Sequence, residues 1–415
     1  MSNLKKIKVV DLRLGMFLQG FDGSWLKHPF WKSKFLLLEA AELRAAHDSG
    51  LAECWIDLSR GADVAAPSAL AGALAPEPEH SAPQAQAQPE APEAVVASSF
   101  HDELQRAATL CKGARDATML MFNEARLGNA IDAQACLPLV TEIADSLLRN
   151  PGALISLARL KTSDDYTYMH SVAVCALMVA LGRALGLDEV ACRDAGVAGL
   201  LHDIGKAFIP LAILNKPGKL TDEEFEAVKS HPVRGHALLM EGQAASAAVL
   251  DVCLHHHEKF DGAGYPERLQ GEAISLMARM GAVCDVYDAI TSNRPYKAGW
   301  DPAESVARMI SWKGHFDQTV LSAFIKTLGI YPTGALVKMR SGRLAVVVEQ
   351  NASSLTKPVV KVFFSTKADT YIPVERIDLA HAGAGDTIVG REARDKWNLA
   401  LIDELWAGEL APRHP

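Results

Sequence analysis

Between residues 102 and 329, apolar side chains recur at three- and four-residue spacing, the period of helices that each bury one face. This spacing predicts a mainly α core. Several helix starts carry side chains suited to accept from the free backbone N–H groups of a first turn. Thr221 with Glu224 and Asp301 with Glu304 read as capping boxes, and Asp317 reads as the N-cap of a helix running to Leu328. On either side of this region the period changes. Residues 1–61 alternate short apolar runs, at 7–12, 15–18 and 54–58, with turn residues, and carry one helical stretch near 39–47, which predicts a small N-terminal α+β module. Beyond Tyr331, runs at 334–339, 344–349, 359–364 and 371–374 predict a short C-terminal β-rich extension, with a Ser341-Gly342 turn between the first two. An amphipathic stretch near 396–405 predicts a last helix.

The composition shifts abruptly between these parts. From 62 to 98 the chain is rich in Ala, Pro, Gln and Glu, with prolines at 67, 76, 78, 83, 89 and 92, too little apolar surface to order itself and so a flexible linker. The expected plan is therefore a module at 1–61, a linker at 62–98, a helical connector at 99–149, a helical domain at 150–330 that carries the chemistry, and an extension at 331–415. A chain of 415 residues with 49% hydrophobic content can bury sizeable cores without disulfides. Its seven cysteines are far apart and include no C-x-x-C pair, which disfavours a zinc ribbon. The first twenty residues lack a signal-peptide core and no run of eighteen apolar residues occurs, so we expect a cytoplasmic protein with no membrane span. A net charge of −8 argues against a nucleic-acid polymer as partner, since broad phosphate neutralisation needs a basic excess; a small anion can still be held by a local site.

One segment concentrates the chemistry. His170, His202, Asp203, His231, His256, His257 and Asp285 are seven metal-capable side chains, several on stretches with helical signals, able to converge from neighbouring helices on a small cluster of cations. In His202-Asp203 the carboxylate directly follows the imidazole, so one oxygen can share a cation with it while the other bridges to a second. Imidazole with carboxylate favours iron or manganese over magnesium. Two cations at about 3.5 to 4 Å can activate a shared water for in-line attack on phosphorus, which makes phosphodiester hydrolysis the expected reaction. Lys206, one turn beyond His202 if that helix continues, is the candidate phosphate clamp. Arg294 and Lys297, just past the helix of Asp285, are candidates for two more phosphate contacts. The loop 261–266, DGAGYP, has the glycines of a tight turn and can bring Tyr265 against a ligand base. Single histidines such as His236 and His255 are taken as structural, Met277 and Met280 as core. Glu258 and Asp288 read equally as outer partners of the ligands or as surface acids.

These residues resemble the HD-GYP family of bacterial cyclic di-GMP phosphodiesterases, a branch of the HD superfamily. The resemblance spans roughly 150–330 and rests on HDIGKAFIPLAILNKPGKLTDEEFEAVKSHPVRG, HHEKFDGAGYP and CDVYDAITSNRPYK. It implies an HD-type helical bundle and hydrolysis of cyclic di-GMP to pGpG, with GMP as a possible second product, by attack of a metal-bridging hydroxide. It implies metal ligands at His170, His202, Asp203, His231, His256, His257 and Asp285, with Asp203 bridging, His170, His202 and Asp285 on one side and the other three histidines on the opposite side. Substrate-phosphate contacts fall at Lys206, Arg294 and Lys297, and Gly264, Tyr265 and Pro266 form a substrate- and partner-facing loop. Some members hold a third metal through a glutamate one turn before the first histidine; Tyr166 stands there in this chain, with Asp165 beside it, so two divalent transition metals are expected and not three. The N-terminal segment resembles a domain of unknown function that often precedes HD-GYP domains. The alternatives are a low-activity signalling module that docks a diguanylate cyclase or adaptor at the GYP loop, or a hydrolase of another cyclic dinucleotide.

Overall fold

The computed structural model describes residues 4–21, 35–38, 40–48, 51–63, 98–161, 166–242, 244–293, 299–351, 354–397, 399 and 402–411. The chain divides into two units, 1–96 and 97–415. Most of the proline-rich segment, residues 22–34, Asp165, Arg294 and Lys297 lie outside the described residues.

In the first unit, strands β1 (Leu4–Lys8), β2 (Phe17–Phe21), β3 (Phe35–Leu36) and β4 (Glu53–Asp57) form an antiparallel sheet in the order β1-β4-β2-β3, with helix α1 (Ala40–Asp48) between β3 and β4. Within the last of the apolar runs the faces alternate. Cys54 and Ile56 of β4 are buried while Glu53 and Trp55 are not, and the first two join Ile7, Leu12, Met16, Leu18 and Leu37 in one core.

The second unit is a helical bundle followed by a sheet. Its helices are α2 (Phe100–Arg126), α3 (Leu137–Arg149), α4 (Pro151–Ala158), α5 (Tyr166–Ala184), α6 (Glu189–Leu201), α7 (Leu211–Leu214), α8 (Asp222–Lys229), α9 (His231–Glu241), α10 (Ala247–His255), α11 (Leu276–Thr291), α12 (Pro302–Ser311) and α13 (Gln318–Leu328). Helix α5 runs through the middle, with every residue from Met169 to Gly182 buried. It is the one helix among the described residues long and apolar enough to cross a membrane; most of it is buried against α6, α11 and α2, as a helix apolar on all sides must be when it forms a core. All seven cysteines are free and buried.

The caps explain where several helices start. Thr221 and Glu224 form a full reciprocal box at α8. At α12 only half of the expected box exists. Asp301 accepts from the N–H groups of Ala303 and Glu304, but the Glu304 carboxylate turns to Arg308 instead of returning to the cap. Asp301 also accepts from Leu336 N at 3.0 Å, tying α12 to the sheet. Strands β5 (Leu336–Met339), β6 (Arg343–Glu349), β7 (Val359–Ser365), β8 (Thr370–Asp378) and β9 (Ile388–Arg391) are antiparallel in the order β8-β7-β6-β5-β9. The sequence pattern missed β9, which is four residues long and contains Gly390. The last helix, α14 (Ile402–Ala407), is shorter than expected and begins only after a 3-10 turn at Arg394–Lys396.

Residues 99–149, read as a connector, are part of the bundle: α2 packs on α4 and α5, with Phe122 edge-on to Tyr168 at 5.6 Å. A fully buried carboxylate fastens this layer. Glu103 of α2 accepts from Ser146 Oγ at 2.8 Å and from Arg149 Nε at 2.8 Å and Nη2 at 3.0 Å, both on α3. Burial alone would raise this carboxyl, but the hydrogen bonds from Arg149, Ser146 and Ser98 outweigh it and hold the group below the usual carboxylate range. The depressed folded-state value makes its contribution complete above the unfolded carboxyl range, near pH 4.3, and lost as pH falls through the folded one. Glu103→Ala is expected to cost about 3 kcal/mol at neutral pH. In thermal unfolding at stepped pH, the gap between wild type and Glu103→Gln should narrow below about pH 4.

Candidate metal centre

Five helices and the chain segments just past their ends bring the candidate ligands together. Helix α5 supplies His170 and α11 supplies Asp285. Helix α6 stops at Leu201, leaving His202 as its C-cap and Asp203 in non-helical backbone, and the chain then enters a 3-10 turn at Ile204–Phe208. The helix therefore does not run on to Lys206 as the spacing suggested. Gly205 shows why the turn is tight: a Cβ there would lie 1.9 Å from His231 O and 2.6 Å from Gly235 N, so only glycine lets this segment press on the start of α9. That contact sets His231, the first residue of α9, beside Asp203. His256 caps α10 and His257 follows it.

The donor atoms fall into two groups, Asp203 with His231, His256 and His257, and His170 with His202 and Asp285; within each group they lie within 4.8 Å of one another. Asp203 faces both. Its Oδ1 is 3.1 Å from His231 Nε2 and 3.8 Å from His256 Nε2, while its Oδ2 is 3.5 Å from His170 Nε2 and 3.4 Å from His202 Nε2. Asp285 also spans the groups, with Oδ1 3.0 Å from His170 Nε2 and Oδ2 3.7 Å from His257 Nδ1.

Four of the five imidazoles in the cluster are aimed by a hydrogen bond on the outer side of the ring. The Nδ1 atoms of His202, His231 and His256 lie 2.8, 2.6 and 3.0 Å from the carbonyl oxygens of Gly199, Val228 and Val252. His170 Nδ1 lies 2.6 Å from Asp288 Oδ2. Donation through Nδ1–H leaves Nε2 with a lone pair directed into the cluster. His202 Nε2 and Asp203 Oδ1 are buried and have no hydrogen-bond partner. Orphaned donor atoms of this kind, among neutral imidazoles and carboxylates, fit divalent metal binding.

Electrostatics fit that chemistry at His256, His257 and the carboxylates, whereas His202 favours its protonated form, whose proton a bound cation would displace. Burial pulls the His202 imidazole down, yet Asp203 and Asp285 outweigh it and lift it to about 10. Burial and the neighbouring histidines hold His256 well below its usual range, and burial carries His257 down to about 3. Burial opposes ionisation of Asp203, but Lys206 and His202 overcome it and keep the carboxyl well below its normal value.

Asp288 proves to be an orienting partner. It is buried, and Lys161, buried as well, donates to its two oxygens at 2.7 and 2.6 Å. Nothing local in the sequence pointed to Lys161, which lies 127 positions away from Asp288. Glu258 is also buried; its Oε1 accepts from Glu267 N at 2.7 Å and its Oε2 has no partner. His255 turns away to Asp251, 2.7 Å from its Nδ1. Met280 is core and Met277 half-buried.

A cavity of about 510 Å³ opens over the cluster, lined by His170, His231, His256, His257 and Asp285 and by Lys206, Tyr265 and Glu258. Lys206 Nζ lies 2.5 Å from Asp203 Oδ2 with the side chain partly exposed, so it reaches both the cluster and the cavity. Of the loop, Tyr265 lines the cavity and stacks on His257 at 4.8 Å. Gly264 does not reach the cavity: it is buried behind the loop, where a Cβ would come within 2.3 Å of Lys259 N and 2.4 Å of Glu258 Cα. Pro266 is not among the described lining residues either. Phe225, Lys216, Lys259 and His315 line the cavity without having been singled out from the sequence. Tyr166, at the position before His170 where a third ligand was considered, stacks on His170 at 5.7 Å.

Known proteins place this architecture. A family model described as HD domain matches residues 144–320, and one described as Domain of unknown function (DUF3391) matches residues 4–136, running past the proline-rich segment to the end of the turn before α3. The chain is 54% identical over 98% of its length, and 96% of its relative's, to a Pseudomonas aeruginosa protein called a cyclic di-GMP phosphodiesterase. This chain belongs to the HD-GYP family. Shorter matches include a Xanthomonas campestris cyclic di-GMP phosphodiesterase response regulator, 44% identical over 34% of this chain and 38% of that one. A Vibrio cholerae 3′3′-cGAMP-specific phosphodiesterase is 32% identical over 42% of this chain and 41% of its own.

If the Lys161–Asp288 pair holds His170 in place, Lys161→Met should weaken binding of manganese by about 10- to 100-fold while far-ultraviolet circular dichroism keeps its helical signature. Isothermal titration of the metal-stripped protein reads this directly, and an unchanged affinity would reduce the pair to a packing role.

Proposed function

We propose that this HD-GYP protein is a metal-dependent phosphodiesterase that opens cyclic di-GMP to linear pGpG with two divalent transition metals, iron or manganese. The observation that carries the reading is Asp203 with one oxygen toward each donor group, at the floor of a cavity that also presents Lys206. In this reading His170, His202 and Asp285 would hold one cation and His231, His256 and His257 the other, with Asp203 available to both. Bound there, the metals supply an activated water and positive charge for the phosphoryl oxygens. The chain supplies the rest. Lys206 neutralises a non-bridging phosphate oxygen, and Tyr265 walls the cavity beside His257. Carbonyl-anchored imidazoles keep the donors from reorienting during turnover. Arg294 and Lys297 are the proposed second set of phosphate contacts, from the segment just past α11.

A preference for 3′3′-cGAMP is the second reading, after the name of the Vibrio cholerae relative, against a relative of nearly full coverage that carries the cyclic di-GMP name. Protein purified without oxygen and loaded with iron or manganese should convert cyclic di-GMP to pGpG, seen by chromatography, and metal analysis should give about two cations per chain. His202→Ala/Asp203→Ala protein should give no product. Faster turnover of 3′3′-cGAMP in the same panel would favour the second reading, and two bound metals with no turnover of any cyclic dinucleotide would sink both.

A further inference from the structure

The cavity extends beyond the metal cluster into a part that phosphate chemistry does not explain. Its wall there is apolar, formed by Ile213, Leu214, Leu220, Val228 and Ile290, with Phe225 among them. Phe225 is 50% exposed, and its helix α8 has no buried residue. An aromatic ring on such a helix adds little to a core.

The helix itself is firmly placed. The Thr221–Glu224 box closes its first turn, Lys216 donates to both Glu224 oxygens at 2.8 and 2.6 Å, and α8 leads through Ser230 directly into His231. Rings and a cation then follow one another outward from the cluster. Tyr265 stacks on His257 at 4.8 Å, and Lys229 Nζ lies 5.9 Å from the Tyr265 ring and 5.2 Å from the Phe225 ring. Tyr265 has one face against His257, whereas Phe225 stands half exposed at the cavity.

We infer that Phe225 is a base-stacking, specificity-determining residue of this site, with one purine of the dinucleotide lying on its ring while the phosphodiester sits over the metal cluster. The inference rests on the cyclic dinucleotide reading above. Purines suit the place because they offer a flat π face to the ring and apolar edges to the aliphatic wall, and stacking on a single aromatic residue is strong enough to show in KM.

The test compares Phe225→Ala, Phe225→Leu and Phe225→Trp with wild type in manganese-loaded protein. Three readouts are taken: KM and kcat for cyclic di-GMP, the inhibition constant of inorganic phosphate, and bound manganese per chain. Alanine should raise KM about tenfold with kcat within about twofold. Leucine should recover little of the loss and tryptophan most of it, because the π face and not bulk is required. Phosphate inhibition and manganese content, which report the cluster without a base, should not move. An unchanged KM in Phe225→Ala overturns the inference and leaves the hydrolase reading standing. Full recovery by leucine, or a parallel loss of phosphate and manganese binding, also overturns it. Wild-type protein that hydrolyses no cyclic dinucleotide removes the reading beneath it, and the inference falls too.

Discussion

The carboxylate of Asp203 sits between two sets of imidazoles, and much of the bundle is arranged to keep it there. Removing an ionised carboxylate from water costs several kcal/mol unless charges and hydrogen bonds replace the lost hydration. Here the compensation comes from His202 and Lys206, close by in sequence, and from imidazoles on α5 and α9 and at the end of α10, which come from distant parts of the chain. The fold answers this with backbone contacts. The 3-10 turn after Asp203 touches the start of α9 through Gly205, and the glycine of the GYP loop lies on the backbone behind His257. Main-chain contacts thus help to set where Asp203, His231 and His257 stand relative to one another.

Much of this was legible in the sequence because the information is local. The HD pair, the paired histidines before Glu258 and the aspartate of the following helix each sit in short segments whose spacing carries meaning. The structure gathers the donor atoms of all seven side chains in two adjoining groups, Asp203 with His231, His256 and His257, and His170 with His202 and Asp285. Asp285 differs in one respect, since its second oxygen turns toward His257 as well. What was not legible depends on long-range contact. Lys161 looks like any lysine near a helix end, and only the fold puts it against Asp288. Phe225 looks like the apolar residue of an amphipathic helix, and only the absence of any core beneath α8 shows otherwise. The continuous helix assumed between His202 and Lys206 failed for a related reason: Gly205 answers to α9, not to its own helix.

The two ends of the chain follow simpler rules. Short apolar runs marked the N-terminal sheet and four of the five C-terminal strands, of which β6 and β7 are buried along nearly their whole length. The half-formed box at α12 has a local cause, the pairing of Glu304 with Arg308 one turn on, while the Asp301 cap also serves a tertiary contact. The Asp301 carboxylate is shared between the cap of α12 and the N–H of Leu336, so one side chain fixes the angle at which bundle gives way to sheet.

Helix α5 has a further consequence. It is enclosed along fourteen consecutive positions and yet carries His170 at the cluster. A cation that binds only the native arrangement adds its binding free energy to the stability of that arrangement, in proportion to the logarithm of its free concentration. With a donor on the central helix, that increment acts on the whole bundle and not on a surface loop. A cell short of the right metal would therefore hold less of this protein as well as a less active form of it, since the unloaded chain opens more often to proteolysis. Metal supply would then set the amount of enzyme through turnover, with no regulatory domain required.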